Sequence, residues 1–266
     1  MTEKIIRRLG VRLNHLYQWV DSNQGYDEIW DLCCDHGRLG LHLHQHHIHS
    51  RVYLVDKVAA IVDKLAVDYA SLNDGRIFFK CADARELQFS GRARRLVIVA
   101  GVGGQSLMAM LEGIIENLDT DASADSTSDI DRTSDIDRTS DIDRTSHIDS
   151  KVELDFLLSP NSHTFELRGF LQANHFGLRD EAFISENGFS HEHLWLRYNK
   201  NNQYGIASDS KVPTKPVTAI GDSLWLDMTD VKRRYLDKLV QHYQRMRGGK
   251  EASVAEAALA AYGRVL

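Results

Sequence analysis

The chain has 266 residues, 42% hydrophobic and 26% charged, with a formal net charge of −6, a length and composition that support a full core in a soluble globular protein. No apolar run approaches the roughly 18 residues of a membrane span, and the amino terminus carries no apolar stretch with a cleavage site of the secretory kind. Three cysteines, Cys33, Cys34 and Cys81, build no disulfide framework and suit a reducing, cytoplasmic setting.

Lys4, Arg7, Arg8 and Arg12 open the chain as a basic cluster. Short apolar runs then alternate with helical patterns. Ile29–Cys34, Val52–Asp56, Ile77–Cys81, Leu96–Ala100 and Leu154–Ser159 read as strands, β-branched or apolar as strands covered on both faces must be. Ile61 and Leu65 mark one intervening helix; Leu107, Met110, Leu111, Ile114 and Ile115 mark another. Such alternation predicts parallel βαβ units. A helix around Phe165–Ala173 follows. Two more strands, Gly177–Ser185 and His193–Tyr198, are joined through Glu186-Asn187-Gly188, whose Asn-Gly signals a tight turn and therefore an antiparallel pair. The expectation is an α/β, Rossmann-like domain over residues 1–200: a mostly parallel seven-stranded sheet with helices on both faces.

Residues 127–150 repeat a six-residue unit, TSDIDR three times and then TSHIDS, with one isoleucine each. A unit so poor in apolar surface cannot offset chain entropy, so a loop insertion at about 119–150 is expected rather than a solenoid. Removing the 10 Asp and 3 Arg between Asp119 and Asp149 leaves 28 acidic and 29 basic residues, so the acidity is local. Beyond residue 200 a polar linker with Pro213 and Pro216 leads to helical sequence from about Thr229. There Leu236, Leu239, Val240 and Tyr243 recur at three- and four-residue spacing, and Gly248-Gly249 separates them from an Ala-rich end. The expectation for 201–266 is a linker and an αα appendage. Its clusters Lys232/Arg233/Arg234 and Arg245/Arg247/Lys250, with Arg92/Arg94/Arg95 earlier, allow an anionic partner.

In an open parallel sheet, ligands sit at the carboxyl ends of the strands where strand order reverses. The first strand runs into Asp31-Leu-Cys-Cys-Asp35-His36-Gly37-Arg-Leu-Gly40, a turn that lets backbone approach a cofactor before a helix N-terminus. Asp31 stands where a carboxylate meets a cationic group. Asp56, ending the second strand, suits ribose hydroxyls. Asp83, past the third, can accept from an adenine amino group. Gly101, Gly103 and Gly104 open the loop after the fourth strand. Asn161 follows the fifth, beside the same point. Each acid could instead cap the next helix, as could Asn161. The five strand-end features together point to a cofactor-binding Rossmann-like domain.

The segments DLCCDHGRLG, VIVAGVGG and LLSPN, with their spacing, resemble the bacterial tRNA (adenine-22-N1)-methyltransferases, with patterns close to D-I-G-S-D-H, I-A-G-M-G-G and Q-P-N. The similarity runs from about Arg12 to Tyr198, interrupted by the repeat, and more loosely into the C-terminal helices. It implies a class I methyltransferase using S-adenosylmethionine, with Asp31, Cys33, Asp35, His36, Gly37, Asp56, Asp83, Gly101, Gly103 and Gly104 at the cofactor. Asn161 and Asp35 would act on the target base, and Arg7, Arg8 and Arg12 on tRNA. Departures are Cys33 for glycine, Cys34 for serine and Ser159 for glutamine. Adenine N1 is neutral at pH 7, so the expected catalysis is positioning and electrostatics without a general base.

His42, His44, His46, His47 and His49 crowd one segment, with His42, His46 and His49 spaced for one helical face, but no metal is expected. Two rival readings remain from sequence: a methyltransferase for a protein or small molecule, and a non-catalytic domain binding RNA or a partner.

Overall fold

The computed structural model describes residues 5–89, 91–124, 153–198 and 213–266, so the acidic repeat and the first part of the expected linker lie outside the described residues. One sheet organises the chain. Its strands are β1 (Glu28–Leu32), β2 (Arg51–Asp56), β3 (Ile77–Cys81), β4 (Arg94–Ala100), β5 (Glu153–Ser159), β6 (Phe176–Glu186), β7 (Phe189–Tyr198) and β8 (Lys215–Pro216). They lie in the order β3-β2-β1-β4-β5-β7-β6-β8, so strand order reverses between β1 and β4. The first five strands pair in parallel. β7 pairs antiparallel with both β5 and β6. The β6–β7 turn places Asn187 at φ 52° and Gly188 at φ 81°, the left-handed pair a two-residue hairpin requires.

The expected seven strands become eight. β8 is two residues pairing with Gly177 and Leu178, too short to carry a period, and Pro216 is tolerated on a sheet edge. β1 also stops at Leu32, short of the expected Cys34, because Cys33 turns to φ 54° and leaves the regular strand.

Two apolar layers cover the sheet. On one side Trp30, Leu32, Val97, Val99 and Phe156 meet Leu107, Leu111 and Ile114 of α4 (Gly104–Ala124) and Leu167 and Leu171 of α5 (Thr164–Ala173). On the other, Ile29, Val52, Leu54, Leu96 and Ile98 meet α1 (Val11–Asp21), α2 (Arg38–His46) and α3 (Ala59–Asp68) through Leu16, Val20, Leu39, Leu43 and Leu65. Successive β1 residues thus feed opposite layers, which is why the strand is buried throughout. Helix α1 is not foreseen from sequence. It buries only Leu16 and Val20, and its amino end is capped from afar: the Glu186 carboxylate accepts from the N–H of Val11 at 2.6 Å and of Arg12 at 3.3 Å. The expected shared face of His42, His46 and His49 does not form, because α2 ends at His46.

The C-terminal helices α6 (Asp230–Met246) and α7 (Ala252–Tyr262) bury Leu236, Tyr243, Ala255, Ala258 and Tyr262 in a third cluster, which Phe165 of α5 and Phe183 of β6 join. Beneath them the fully buried Arg168 guanidinium pairs with Glu181 and Glu192, each at 2.9 Å. Tyr235 donates to Glu192 at 3.1 Å and Tyr243 to Glu166 at 2.9 Å. The helical pair is therefore docked over paired buried charges as well as through apolar contact.

Candidate active site

A cavity of about 350 Å³ opens at the carboxyl ends of β1 to β4. It brings together Cys33, Asp56 and Asp83 from the expected residues, with Lys57, Arg85, Val102, Ser106 and Met110 among the rest of its walls. Asp56 ends β2, and its carboxylate accepts from the Val58 N–H at 3.0 Å and from the Asp35 N–H at 3.3 Å. The second bond ties the β1 turn to the β2 turn. Asp83 caps the short helical turn Ala84–Glu86 and grips Arg85 at 3.0 and 2.7 Å. Those Arg85 hydrogen bonds hold the Asp83 carboxyl at about 2. Capping is thus one use of Asp56 and Asp83, without removing either from the cavity wall. Burial first, then the nearby charge of Asp56, pushes the Cys33 thiol up to about 11, so this wall is neutral.

The β1 turn carries left-handed residues at Cys33 (φ 54°), Asp35 (φ 49°) and Gly37 (φ 64°). At Gly37 a Cβ would come within 2.6 Å of Leu54 Cδ2, so both conformation and space demand glycine there. Asp31 is 5% exposed; its Oδ2 accepts from the Gly40 N–H at 2.9 Å, stitching β1 to the first turn of α2. Burial outweighs that bond and pushes the Asp31 carboxyl up to about 7. The side chains of Asp35 and His36 are exposed, with His36 Nε2 3.7 Å from Asp35 Oδ2. Both line a second cavity of about 350 Å³, between the N-terminal segment, α2 and α3, together with Arg7, Arg38 and Lys64.

A third locus lies where the β4 and β5 loops meet. The Gly101 N–H donates to the Ser159 carbonyl at 3.0 Å, Asn161 N–H to the Val102 carbonyl at 2.9 Å, and Gly104 N–H to the Ser162 carbonyl at 3.0 Å. The Asn161 side chain donates through Nδ2 to the Gly101 carbonyl at 2.7 Å, while His163 is the residue preceding α5. Asn161 is therefore a bridge between loops, not the cap of α5, and its Oδ1 remains an acceptor. Gly103 and Gly104 pack against Ser162; a Cβ at Gly104 would lie 2.5 Å from the Ser162 carbonyl oxygen. Arg12 reaches this locus from α1, its Nη1 donating to Ser159 Oγ at 3.5 Å.

The structure separates the basic residues. Arg7 and Arg8 are exposed, whereas Arg12 is half-buried at the strand ends. Arg95 pairs with the buried Glu28 at 2.7 Å, and Arg94 lies over the Tyr26 ring, so both take part in holding the fold. Among the described residues no group of three or more His, Cys, Asp or Glu side chains is arranged to hold a metal ion, and His44 is spent on Asp74 at 3.0 Å. Sequence reasoning missed Met110 and Ser106 as walls. Met110 is one of several apolar residues at helical spacing, and nothing in that spacing sets it apart.

A family model described as a methyltransferase domain matches residues 9–124. By sequence, no curated protein matches the chain. Similar solved structures include the B. subtilis tRNA methyltransferase TrmK, named for N1 of adenine 22, at 18% identity and a TM-score of 0.60 over 97% of this chain and 95% of that one. M. capricolum TrmK in complex with S-adenosyl-homocysteine aligns at 13% identity and 0.61, over 97% and 99% of the two chains. A Streptococcus pneumoniae protein in complex with S-adenosyl-L-methionine aligns at 17% identity and 0.64, over 97% and 100%. The chain has the Rossmann-like methyltransferase fold.

Proposed function

We propose that this protein is an S-adenosylmethionine-dependent RNA methyltransferase that modifies N1 of an adenine in tRNA, at position 22, in the cytoplasm. The observation that carries the reading is the cavity at the strand-order reversal, with Asp56 and Asp83 on its rim and apolar Val55, Val102 and Met110 on its walls. Such a site suits an adenosine, its ribose hydroxyls donating to a carboxylate and its ring between aliphatic faces. Resemblance in the motifs and over nearly the whole length, the C-terminal helices included, supports the tRNA part of the proposal. Among the described residues no helix is long and apolar enough to cross a membrane.

The cofactor supplies an activated methyl group; the chain's own residues position the acceptor. Asn161 is fixed by the 2.7 Å bond from its Nδ2 to the Gly101 carbonyl, and its Oδ1 supplies an acceptor matched to the amino group beside adenine N1. N1 lies on the Watson–Crick edge, so the base leaves any pairing to reach this point. Asp35, expected from sequence to act on the base as well, instead turns its side chain into the second cavity and is not assigned that role. The exposed Arg7 and Arg8 and the basic clusters of α6 and its C-terminal end are assigned to the RNA backbone, whose phosphates make such binding salt-dependent. The αα pair serves as an appendage to the methyltransferase domain in that grip.

The test compares nucleosides from tRNA of cells with and without this protein. Loss of N1-methyladenosine at a single position on deletion is expected; an unchanged nucleoside profile would move the activity to a protein or small-molecule acceptor.

A further inference from the structure

The second cavity, between the N-terminal segment, α2 and α3, shares no lining residue with the one at the strand ends. Buried Leu41, Leu65 and Tyr69 make an apolar floor, with Ile61 half-buried beside them. Charges of both signs stand around that floor, and their pairing is unequal. Asp68 is held by Lys64, one turn away on α3, at 3.2 Å. Arg7 lines the cavity from the N-terminal segment and Arg38 from the first turn of α2. Among the described residues no carboxylate forms an ion pair with either guanidinium. Asp35 is the remaining acid of the cavity, its carboxylate exposed beside the His36 ring. The cavity therefore offers two guanidiniums without an acid, one acceptor carboxylate and an apolar floor.

Such walls select a ligand with three matching parts: an anion, a hydrogen-bond donor and an apolar body. A fatty-acid anion brings no donor for Asp35 and would meet its charge. A nucleoside 5′-phosphate has all three, with the exocyclic amino group of adenine, guanine or cytosine as the donor. We propose that this cavity is a second ligand site that holds one nucleoside 5′-phosphate unit, its phosphate on Arg7 and Arg38 and its base amino group on Asp35. The site is joined to the cavity at the strand ends through backbone, since the Asp35 N–H donates to the Asp56 carboxylate at 3.3 Å. In a protein that acts on RNA the unit is an unpaired nucleotide of that RNA, held apart from the base that is methylated. That source rests on the RNA reading above; the site itself does not.

The test is calorimetric titration of the full chain with cytidine 5′-phosphate, S-adenosylhomocysteine being kept at saturation so that the cavity at the strand ends is filled. Cytidine, without the phosphate, and uridine 5′-phosphate, without the amino group, should each bind at least about tenfold more weakly, comparisons that need no variant to fold. Arg38→Gln should weaken cytidine 5′-phosphate by roughly 10- to 100-fold and leave S-adenosylhomocysteine within about twofold. Ala60→Trp fills the cavity from the exposed first turn of α3 and should block the nucleotide while the cofactor product still binds. A short single-stranded oligocytidylate separates the sources: tighter binding than the mononucleotide, lost in both variants, assigns the site to RNA, and no gain assigns it to free nucleotides. Absence of saturable binding by both the mononucleotide and the oligonucleotide would overturn the proposal. So would equal binding of cytidine and its phosphate, binding that neither variant weakens, or binding seen only when S-adenosylhomocysteine is left out. If S-adenosylhomocysteine itself does not bind, the cofactor reading fails separately, and the nucleotide titrations test this site without it.

Discussion

The buried carboxyl of Asp31 makes a prediction about stability that can be worked from its surroundings. In the folded chain it titrates at about 7, against an ordinary value of 3.8, because burial outweighs one hydrogen bond from Gly40. A raised acid means the folded state holds this proton more tightly than the unfolded chain does. Its contribution is therefore full below about pH 4, is lost as pH climbs to about 7, and is flat above. A shift of about three units corresponds to about 4 kcal/mol withheld from the folded state at pH 8. Asp31→Asn keeps the shape and keeps an oxygen for the Gly40 N–H, but buries an amide NH2 that needs a partner, at a cost of about 1–3 kcal/mol. The variant should be more stable than the parent at pH 8 by about 1–3 kcal/mol, and that advantage should shrink by about 2–3 kcal/mol on going to pH 5. Urea unfolding of both proteins, followed by tryptophan fluorescence at pH 5, 6, 7 and 8, reads the difference. Stability curves that stay parallel across this range would show that Asp31 is not held protonated, and would refute the reasoning.

Asn161→Ala should cut turnover at least tenfold while cofactor affinity, measured by titration, stays within about twofold, because the proposed contact is to the base; the lost 2.7 Å bridge to Gly101 should cost about 1 kcal/mol in stability. Cys33 occupies a left-handed position, so Cys33→Gly should be more stable than Cys33→Ala by about 1 kcal/mol in denaturant unfolding, reversing the usual order of these residues. Deleting Thr127–Ser150 shortens the connection between α4 and β5 and should change stability by about 1 kcal/mol or less, since loop-closure cost grows slowly with length; a protein that unfolds or loses activity would make the repeat structural.

The five parallel strands and the hairpin were legible because each is a continuous apolar run bounded by a turn signal, and Asn187-Gly188 states its own geometry. Helix α1 was not, since its cap is supplied by Glu186 far along the chain and only two of its residues are buried. β8 is defined by a partner strand and not by its own two residues. At the site, the acids at strand ends were readable from position alone, and Cys33, Asp56 and Asp83 do share one cavity. What position could not show is direction. Asp35 and His36 turn their side chains to a neighbouring cavity, and Arg12 leaves the exposed basic cluster for the strand ends. Side-chain direction depends on backbone dihedrals such as the left-handed Cys33 and Asp35, which residue spacing does not encode.

The decisive experiment incubates the purified full chain with unmodified tRNA and S-adenosylmethionine carrying a labelled methyl group, then digests the RNA and identifies the labelled nucleoside by mass spectrometry. Label is expected in N1-methyladenosine, at a single site that maps to adenine 22, and at least tenfold more slowly in Asn161→Ala at matched cofactor occupancy. Label in another base or at another adenine nitrogen would contradict the N1 assignment, and the absence of any transfer to tRNA, with cofactor bound, would contradict the RNA methyltransferase reading itself.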